Sequence, residues 1–282
     1  MLSYRHAFHA GNHADVLKHF ILFLTLHYFN QKDKPYWYID THSGAGVYDL
    51  RGDEAQKVGE YQHGIAKLRE NLFRLPESLQ NFVAHLDEML AENNLYAGSP
   101  YWAQSLLREA DKMRLFELHP TDFHHLINNM RELNLGRKCI VKQEDGFAGL
   151  LALLPPATRR AVVLIDPPYE QKQDYTRVVD TLKDALKKFE QGCYAVWYPC
   201  LSRTESQTLP EKLKKLCPNN YLDVQLHVHA PRADGFGMHG SGMFLINPPY
   251  VLPEMLKQIM PKLSKILAQD NQARFVLDYQ IK

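Results

Sequence analysis

The sequence has few of the features that mark proteins outside the ordinary globular class. Its four cysteines form no C-x-x-C pair, which excludes a disulfide framework and predicts reduced thiols. The longest apolar run, residues 20–26, is far shorter than the ~20 residues that span a bilayer. The formal net charge is only +1, so a protein that coats polyanions is excluded, and any nucleic acid must be met by a local patch.

The chain has 282 residues, of which 45% are hydrophobic and 23% charged, as in ordinary globular domains. That length corresponds to one large domain or two small ones. The first residues, Met-Leu-Ser-Tyr-Arg-His, lack the apolar stretch and cleavage site of a secretory signal. We therefore expect a cytoplasmic protein that contacts no membrane.

Short β-rich runs alternate with helical periodicity along the chain, a pattern typical of an α/β fold. We predict a Rossmann-like, seven-stranded, mostly parallel sheet. The predicted strands cover residues 36–40, 112–118, 139–142, 161–166, 193–198, 223–229 and 242–247. Helices are predicted over residues 12–29, 99–109, 120–133, 175–191 and 253–269.

One interval between predicted elements is longer than a βαβ crossover requires. About fifty residues separate Gly46 from the helix that begins near Ser99. Two amphipathic segments, residues 59–72 and 76–93, occupy this interval. We interpret residues 50–97 as a helical insertion within a single domain, 1–282, and expect it to shape a rim around the active site.

The tetrapeptide Asp166-Pro-Pro-Tyr169 follows an apolar strand and carries the clearest chemical signal. A parallel strand delivers its terminal acid to the carboxyl edge of the sheet, where open α/β folds bind ligands. Because proline has no N–H, the Asp166 carboxylate and the Pro167 carbonyl can accept both hydrogens of an amine such as adenine N6. Tyr169 offers a stacking face worth ~1–3 kcal/mol to an extruded base. The alternative is a strand that stops at a proline-rich turn with the tyrosine packed inside.

A second tetrapeptide, Asn247-Pro-Pro-Tyr250, fits a looser form of the same pattern. Too few residues follow it for the three further strands that such a site normally precedes. Residues 170–250, by contrast, supply three predicted strands after Asp166. We interpret the second tetrapeptide as a strand end that leads into the last helix.

The segment Asp40-Thr-His-Ser-Gly-Ala-Gly46 ends the first predicted strand with an acid and two glycines. Gly44 and Gly46 allow the backbone to approach a nucleoside cofactor closely. A dinucleotide-binding fold would have a third glycine where Asp49 stands, and a carboxylate there opposes a pyrophosphate. S-adenosylmethionine has no phosphate and carries a sulfonium cation, so it fits an acidic, glycine-opened pocket better.

Two further acids follow the next predicted strands. Glu117 is placed to accept the ribose hydroxyls of the cofactor, and Asp145 to accept from its adenine amine, with Gly146 allowing close backbone approach. Singly, each reads equally well as a strand-end carboxylate. The series Asp40, Glu117, Asp145 and Asp166 closes four successive strands, which favours one shared site.

Four histidines lie close together near the start of the chain, His6, His9, His13 and His19, and two of them, His9 and His13, are four residues apart. We predict no metal site, because H-E-x-x-H is absent, a glycine-asparagine pair interrupts a helix between them, and methyl transfer needs no metal. Tyr4, His6 and Lys18 are assigned to substrate binding instead, with a solvated surface as the alternative.

These segments resemble the bacterial RlmJ family of 23S ribosomal RNA adenine-N6 methyltransferases over nearly the whole chain. The resemblance rests on Tyr4–His19, Asp40–Gly46, Gly98–Pro100, Glu117–Pro120, Asp145–Phe147, Leu164–Tyr169, Tyr194–Pro199 and Gly240–Met243. It implies a class I S-adenosylmethionine-dependent methyltransferase fold with a small helical insertion. It also implies cofactor contacts at His19, His42, Ser99, Glu117, Asp145 and Gly146, with Asp166 as the catalytic acid.

We therefore predict an S-adenosylmethionine-dependent enzyme that flips an adenine out of 23S ribosomal RNA and clamps it with Asp166, Pro167 and Tyr169. The expected substrate is RNA that is protein-free or early in assembly, and the expected enzyme is a monomer. Two alternatives stay open. The tetrapeptide serves a DNA adenine-N6 methyltransferase equally well, and a non-enzymatic nucleic-acid-binding protein linked to the use of external DNA is the other.

Overall fold

A central eight-stranded sheet organises the computed structural model, which describes residues 6–90 and 94–281. Ten strands occur in this part of the chain: β1 Trp37–Asp40, β2 Val47–Asp49, β3 Leu95–Ala97, β4 Lys112–Phe116, β5 Cys139–Lys142, β6 Ala161–Ile165, β7 Cys193–Cys200, β8 Tyr221–His227, β9 Gly240–Ile246 and β10 Arg274–Gln280. The large sheet has the order β10-β8-β9-β7-β6-β1-β4-β5, and β2 pairs with β3 separately. All seven predicted strands lie in the large sheet.

One half of the large sheet is parallel. Strand β1 pairs with β4 on one side and β6 on the other, and β5 and β7 extend this arrangement outward. Because parallel strands end at the same edge, the residues that follow β1, β4, β5 and β6 meet there. These are the segments that carry the predicted acids.

The other half is antiparallel and contains a strand that the sequence analysis did not assign. Strand β9 lies between β7 and β8 and runs against both, and β10 pairs antiparallel with β8 at the edge. Since β9 runs against β7, Ile246 lies opposite Tyr194 near the start of β7. Asn247 therefore lies at the edge of the sheet opposite to Asp166, which confirms its interpretation as a strand end.

Helices cover both faces of the large sheet. The α-helices in the described ranges are α1 His13–Asn30, α2 Asp53–Val58, α3 Ile65–Glu70, α4 Glu77–Met89, α5 Ser99–Leu106, α6 Pro120–Glu132, α7 Gly146–Leu153, α8 Lys172–Lys188, α9 Thr204–Leu216 and α10 Leu252–Ile266. Helices α7, α8 and α9 contribute to the hydrophobic cluster on one face, and α1, α4, α5, α6 and α10 to the cluster on the other. Within residues 6–90 and 94–281, no helix has the length and apolarity that a membrane crossing requires.

Helix α1 is buried along most of its length, which explains its long apolar run. The Asn12 side chain caps its start by accepting hydrogen bonds from the N–H groups of Ala14 and Asp15, at 2.9 Å each. Three polar side chains, Asp15, Lys18 and His19, are buried together with the apolar ones. Burial of charged groups on this helix requires partners, which the site supplies.

The long interval between β1 and α5 holds the two-stranded sheet and three of the helices. Strands β2 and β3 pair antiparallel, and α2, α3 and α4 lie between them. The helix predicted over residues 59–72 is shorter than expected, because a 3-10 turn at Glu60–His63 ends at Gly64 before α3 begins. A Cβ at Gly64 would lie 2.1 Å from the Gly11 carbonyl oxygen, so the chain passes too close to Gly11 for any other residue.

Candidate active site

A cavity of about 400 Å³ opens at the carboxyl edge of the parallel strands. Its wall comes from the start of α1 and from the loops that follow β1, β4, β5, β6 and β7. The predicted site residues that line it are His6, Lys18, His19, His42, Gly44, Ser99, Glu117, Asp145, Gly146, Asp166, Pro167 and Tyr169. Gly46 is absent from the wall, and Tyr4 lies outside the described residues.

The Asp166 carboxylate follows β6 directly, and its side chain is only 14% exposed. The Lys18 ammonium donates a hydrogen bond to Asp166 Oδ2 at 2.7 Å. Burial raises the pKa of Asp166 above its ordinary value, and the charge of Lys18 opposes that rise. The buried Asp166 carboxylate is thus paired with the Lys18 ammonium.

Lys18 belongs to a chain of charged and polar groups that starts in the N-terminal segment. Its ammonium also lies 2.9 Å from Asp15 Oδ1. Asp15 Oδ2 bonds to His6 Nε2 at 2.8 Å and accepts from the Gly11 N–H at 2.9 Å. Burial opposes the ammonium charge, but the two carboxylates outweigh it and raise the pKa of Lys18. The structure therefore places Lys18 in contact with the acid of the tetrapeptide and connects His6 to it through Asp15 and Lys18.

The rest of the tetrapeptide forms a fixed turn. Tyr169 has φ +51°, a left-handed conformation that few non-glycine residues adopt. Its hydroxyl donates to the Trp197 carbonyl at 2.8 Å, and its ring packs 4.6 Å from that of Tyr175. The residue lines the cavity but is only 2% exposed, so little of its ring face is accessible. The stacking role of Tyr169 stays a prediction.

The glycine segment after β1 is shaped by its own hydrogen bonds. Gly44 and Gly46 have φ +59° and +86°, the left-handed region that favours glycine. The Gly44 N–H donates to Glu117 Oε2 at 2.8 Å, which ties the glycine segment to the end of β4. The Gly46 carbonyl accepts from the Gly98 N–H at 2.8 Å, behind the cavity wall. Gly46 therefore supports the loop from behind.

Asp40 ends β1 but does not reach the cavity. It is fully buried, and its carboxylate accepts hydrogen bonds from the hydroxyls of Tyr38 and Ser99, at 2.7 and 2.6 Å. Burial raises the pKa of Asp40 to about 6, against the lowering effect of these two donors. The interpretation of Asp40 as part of the acidic pocket needs correction, since this acid anchors Ser99 from behind the wall.

Glu117 is the acid that faces the cavity after β4. Its second carboxylate oxygen accepts from the His119 N–H at 2.7 Å. Burial raises the pKa of Glu117 to about 7, although the hydrogen bonds from His119 and Gly44 lower it. Leu118, directly after it, is an exposed apolar residue of the same wall. An acceptor beside an apolar contact suits a nucleoside, whose ribose is polar and whose base is flat.

Asp145 and Gly146 form the wall after β5. Asp145 Oδ1 accepts from the Phe147 N–H at 2.9 Å and caps α7, while Oδ2 pairs with Arg177. Burial opposes ionisation here, but the hydrogen bond and charge of Arg177 outweigh it and lower the pKa of Asp145. A Cβ at Gly146 would lie 1.8 Å from the Thr41 carbonyl oxygen, so only glycine fits where α7 meets the loop after β1.

Two buried histidines complete the wall. His19 Nδ1 bonds to the Tyr96 hydroxyl at 2.8 Å, and His19 Nε2 is a buried atom with no hydrogen-bond partner within the described ranges. Burial lowers the pKa of His19 well below its ordinary value and that of His42 to about 3, so both rings are neutral. His42 packs edge-on against Phe147, with ring centroids 4.9 Å apart.

Two residues of the wall, Arg177 on α8 and Arg203 after β7, had no motif that pointed to them, whereas Trp197 on β7 belongs to the Tyr194–Pro199 segment. They reach the cavity because β7 follows β6 in the sheet and α8 crosses between them. Only the order of the strands in the sheet, which a single sequence does not give, would have identified these residues as part of the cavity wall. In the described residues, no three His, Cys, Asp or Glu side chains are grouped so as to hold a metal ion.

Comparison with known proteins agrees with this geometry. The mostly parallel sheet with helices on both faces is the fold of class I S-adenosylmethionine-dependent methyltransferases. The family model described as ribosomal RNA large subunit methyltransferase D, RlmJ, matches residues 33–280. The chain belongs to the RlmJ family.

Individual relatives cover nearly the whole chain. Ribosomal RNA large subunit methyltransferase J of Haemophilus influenzae is 42% identical over 282 residues, which is 99% of both chains. The protein of the same name from Escherichia coli is 42% identical over 263 residues, covering 93% of this chain and 92% of its own. The crystal structure of a Legionella pneumophila protein has a TM-score of 0.88 at 33% identity, over 97% of this chain and 99% of that one.

Proposed function

We propose that the protein transfers a methyl group from S-adenosylmethionine to N6 of an adenosine in 23S ribosomal RNA. The observation that carries this proposal is the position of Asp166 and Pro167 on the wall of the same cavity as Glu117, Asp145 and the Gly44 loop. An amine acceptor pair and a nucleoside-sized recess thus share one edge of the sheet. Both curated relatives carry the name of a ribosomal RNA large subunit methyltransferase.

The cavity residues fit the cofactor. Glu117 supplies acceptors for the ribose hydroxyls, and Asp145 an acceptor for the adenine amine. The unpartnered Nε2 of buried His19 is a polar atom that a polar group of the ligand would satisfy. Seven acids line the wall against three cations, Lys18, Arg177 and Arg203, and this excess of negative charge suits a sulfonium cation. When bound, S-adenosylmethionine supplies an electrophilic methyl group.

The target amine is held by groups of the tetrapeptide. The Asp166 carboxylate and the Pro167 carbonyl accept its two hydrogens, and this draws the nitrogen lone pair out of conjugation with the ring. Asp166 then takes the proton that N6 loses. Catalysis rests mainly on positioning in a cavity that excludes water. The ion pair with Lys18 favours the ionised form of Asp166 against the effect of burial and orients its carboxylate for both tasks.

The substrate is 23S ribosomal RNA that is protein-free or early in assembly, since a base must be extruded before the tetrapeptide can hold it. A monomer is sufficient, because every group of the clamp comes from one chain. The site of action is the cytoplasm, where such RNA is found. Lys18 at the acid and His6, which is linked to it through Asp15, both line the cavity, where they can also meet the RNA.

We assign residues 50–97 to a helical insertion in the single domain 1–282, and the insertion contacts residues of the cavity wall. Glu60, the first residue of the 3-10 turn before α3, accepts a hydrogen bond from the Asn12 side-chain amide at 2.8 Å and bonds to His9 Nδ1 at 3.0 Å. Both of these partners line the cavity. This contact supports a role of the insertion in shaping the rim.

Methyl incorporation separates this function from its alternatives. Purified protein with tritiated S-adenosylmethionine is offered protein-free 23S ribosomal RNA and, separately, adenine-containing DNA. We expect label in the RNA only, at N6 of adenosine, and a matching loss of one N6-methyladenine in ribosomal RNA from cells that lack the protein. Label in DNA alone would favour the DNA methyltransferase. No binding of S-adenosylmethionine by calorimetry would favour a non-enzymatic nucleic-acid-binding protein.

A further inference from the structure

The loop between β8 and β9, residues 228–239, is anchored to the cavity wall at its base. The Val228 N–H donates to the His239 carbonyl at 2.9 Å, and the His239 N–H donates to the Cys200 carbonyl at 3.2 Å. Met238, next to this anchor, lines the cavity. The loop therefore rises from the rim of the proposed active site.

The tip of this loop exposes one aromatic side chain. Phe236 is 76% exposed and lies between Gly235 and Gly237, which have φ +73° and +85°. The Asp234 carboxylate accepts from the Phe236 N–H at 3.0 Å and fixes the turn. A side chain this exposed leaves its apolar ring surface in water, where an external partner can reach it.

The surroundings of Phe236 are those of a nucleic-acid contact. A Cβ at Gly235 would lie 3.8 Å from Ser202 Cβ, so the tip leans on the loop after β7. That loop supplies Arg203 to the cavity wall, within 3.5 Å of the Tyr169 carbonyl. A second guanidinium, that of Arg232, is exposed at the same tip. Aromatic faces interleaved with cations are what single strands of nucleic acid bind.

We infer that Phe236 stacks on a nucleotide next to the target adenosine, on the rim of the cavity that holds the target itself. The inference rests on the proposed function and adds a contact outside the tetrapeptide. Extruding one base leaves its neighbour without a stacking partner. The Phe236 ring stacks on this neighbouring base whatever its identity, because every base has a π-face. Arg203 lies close enough to neutralise the adjoining phosphate.

Steady-state kinetics of Phe236→Ala, with protein-free 23S ribosomal RNA as the varied substrate, test this contact. A stacked base is worth ~1–3 kcal/mol, so we expect KM for RNA to rise roughly 5- to 150-fold with kcat unchanged. Affinity for S-adenosylmethionine by calorimetry stays at the wild-type value. Phe236→Trp keeps the wild-type KM, whereas Phe236→Leu is as impaired as alanine because it has bulk without a π-face.

Tyr250→Ala is the matched control, since Tyr250 is 67% exposed but follows β9 at the opposite edge of the sheet. We expect it to leave KM for RNA unchanged. A wild-type KM in Phe236→Ala, a full rescue by leucine, or an equal rise in Tyr250→Ala would each overturn the inference while wild-type turnover upholds the proposed function. Absence of RNA methylation by the wild-type protein would instead remove the proposed function, and the Phe236 contact with it.

Discussion

Asp166 is subject to two opposing influences on its charge. Burial favours the neutral acid, and the Lys18 ammonium at 2.7 Å favours the carboxylate. Lys18 is itself held by Asp15, so removal of either acid leaves the ammonium with a partner. The carboxylate is thus available as an acceptor, and its loss does not strand a buried cation.

Asp166→Ala is expected to abolish methyl transfer, by at least ~100-fold, because the amine loses both an acceptor and the group that takes its proton. Binding of S-adenosylmethionine stays largely intact, since Glu117 and Asp145 are untouched. Methyl incorporation and calorimetry on the same preparation measure the two effects. Asn247→Ala, in the look-alike tetrapeptide at the opposite edge, keeps wild-type turnover per folded molecule. Wild-type activity in Asp166→Ala would remove the clamp from the mechanism.

Glu117 predicts how cofactor binding depends on pH. Its pKa is raised to about 7, so the carboxylate gains a proton as the pH falls through neutrality. The protonated acid loses one acceptor for the ribose hydroxyls, and we expect affinity for S-adenosylmethionine to fall roughly tenfold between about pH 8 and pH 6. Calorimetry at both pH values measures this. Glu117→Gln removes the pH dependence, and an equally steep dependence in that variant would assign it to another group.

Among the elements, helix α7 is the one whose position depends most on a single backbone contact. Gly146 places its first turn against the Thr41 carbonyl, and Asp145 caps it. The cap and the close approach together bring the loops after β1 and β5 into contact at the cavity wall.

Gly146→Ala is expected to push α7 away from the loop after β1. The added methyl meets backbone, which cannot rotate aside, so the free energy of unfolding falls by at least ~1–3 kcal/mol and cofactor affinity falls with it. Thermal unfolding and calorimetry measure the two changes. Ala148→Ser, exposed on the same helix, changes stability by less than ~0.5 kcal/mol. A stable Gly146→Ala variant with wild-type affinity contradicts the expected displacement.

The helices and strands differ in how readily they can be predicted from the sequence. Strands β1, β6 and β7 are apolar runs buried between two helical layers, so composition found them, whereas β5 is a partly exposed edge strand. Helix α9 contains Pro210, which argues against a helix interior, and α7 has two glycines in eight residues; neither was predicted. Strand β10 is a partly exposed edge strand whose apolar residues are diluted by polar ones. Tertiary packing, rather than local propensity, decides these three.

On the scale of the whole molecule, the site acids were predictable and their partners were not. Parallel order alone brings Glu117, Asp145 and Asp166 to one edge. The bond between Lys18 and Asp166 joins residues 148 positions apart, and nothing local marks it. Asp40 shows the converse error: its place at a strand end was right, but its side chain points behind the wall, towards Ser99.

The last strand contributes to the stability of the whole sheet. A chain that ends after Ala273 lacks β10, which uncovers the edge of β8 and removes Phe275, Leu277 and Tyr279 from the core margin. We expect a loss of about 3–5 kcal/mol and association at high concentration. Denaturant unfolding and size-exclusion chromatography check this. Asp278→Asn, which breaks only the partly exposed pair with Lys214, costs less than ~1 kcal/mol. Wild-type stability in the shortened chain would show that β10 is dispensable.

The hydrogen bond between Lys18 on α1 and Asp166 after β6 determines when the folding chain can gain activity and when it can lose it. During synthesis Lys18 emerges long before Asp166, so a nascent chain is inactive until β6, the fourth parallel strand, has docked. The same dependence operates in reverse under stress. Any fluctuation that lifts α1 off the sheet separates the Lys18 counter-ion from the Asp166 carboxylate. We expect methyl transfer to fail under such conditions before the rest of the fold unfolds.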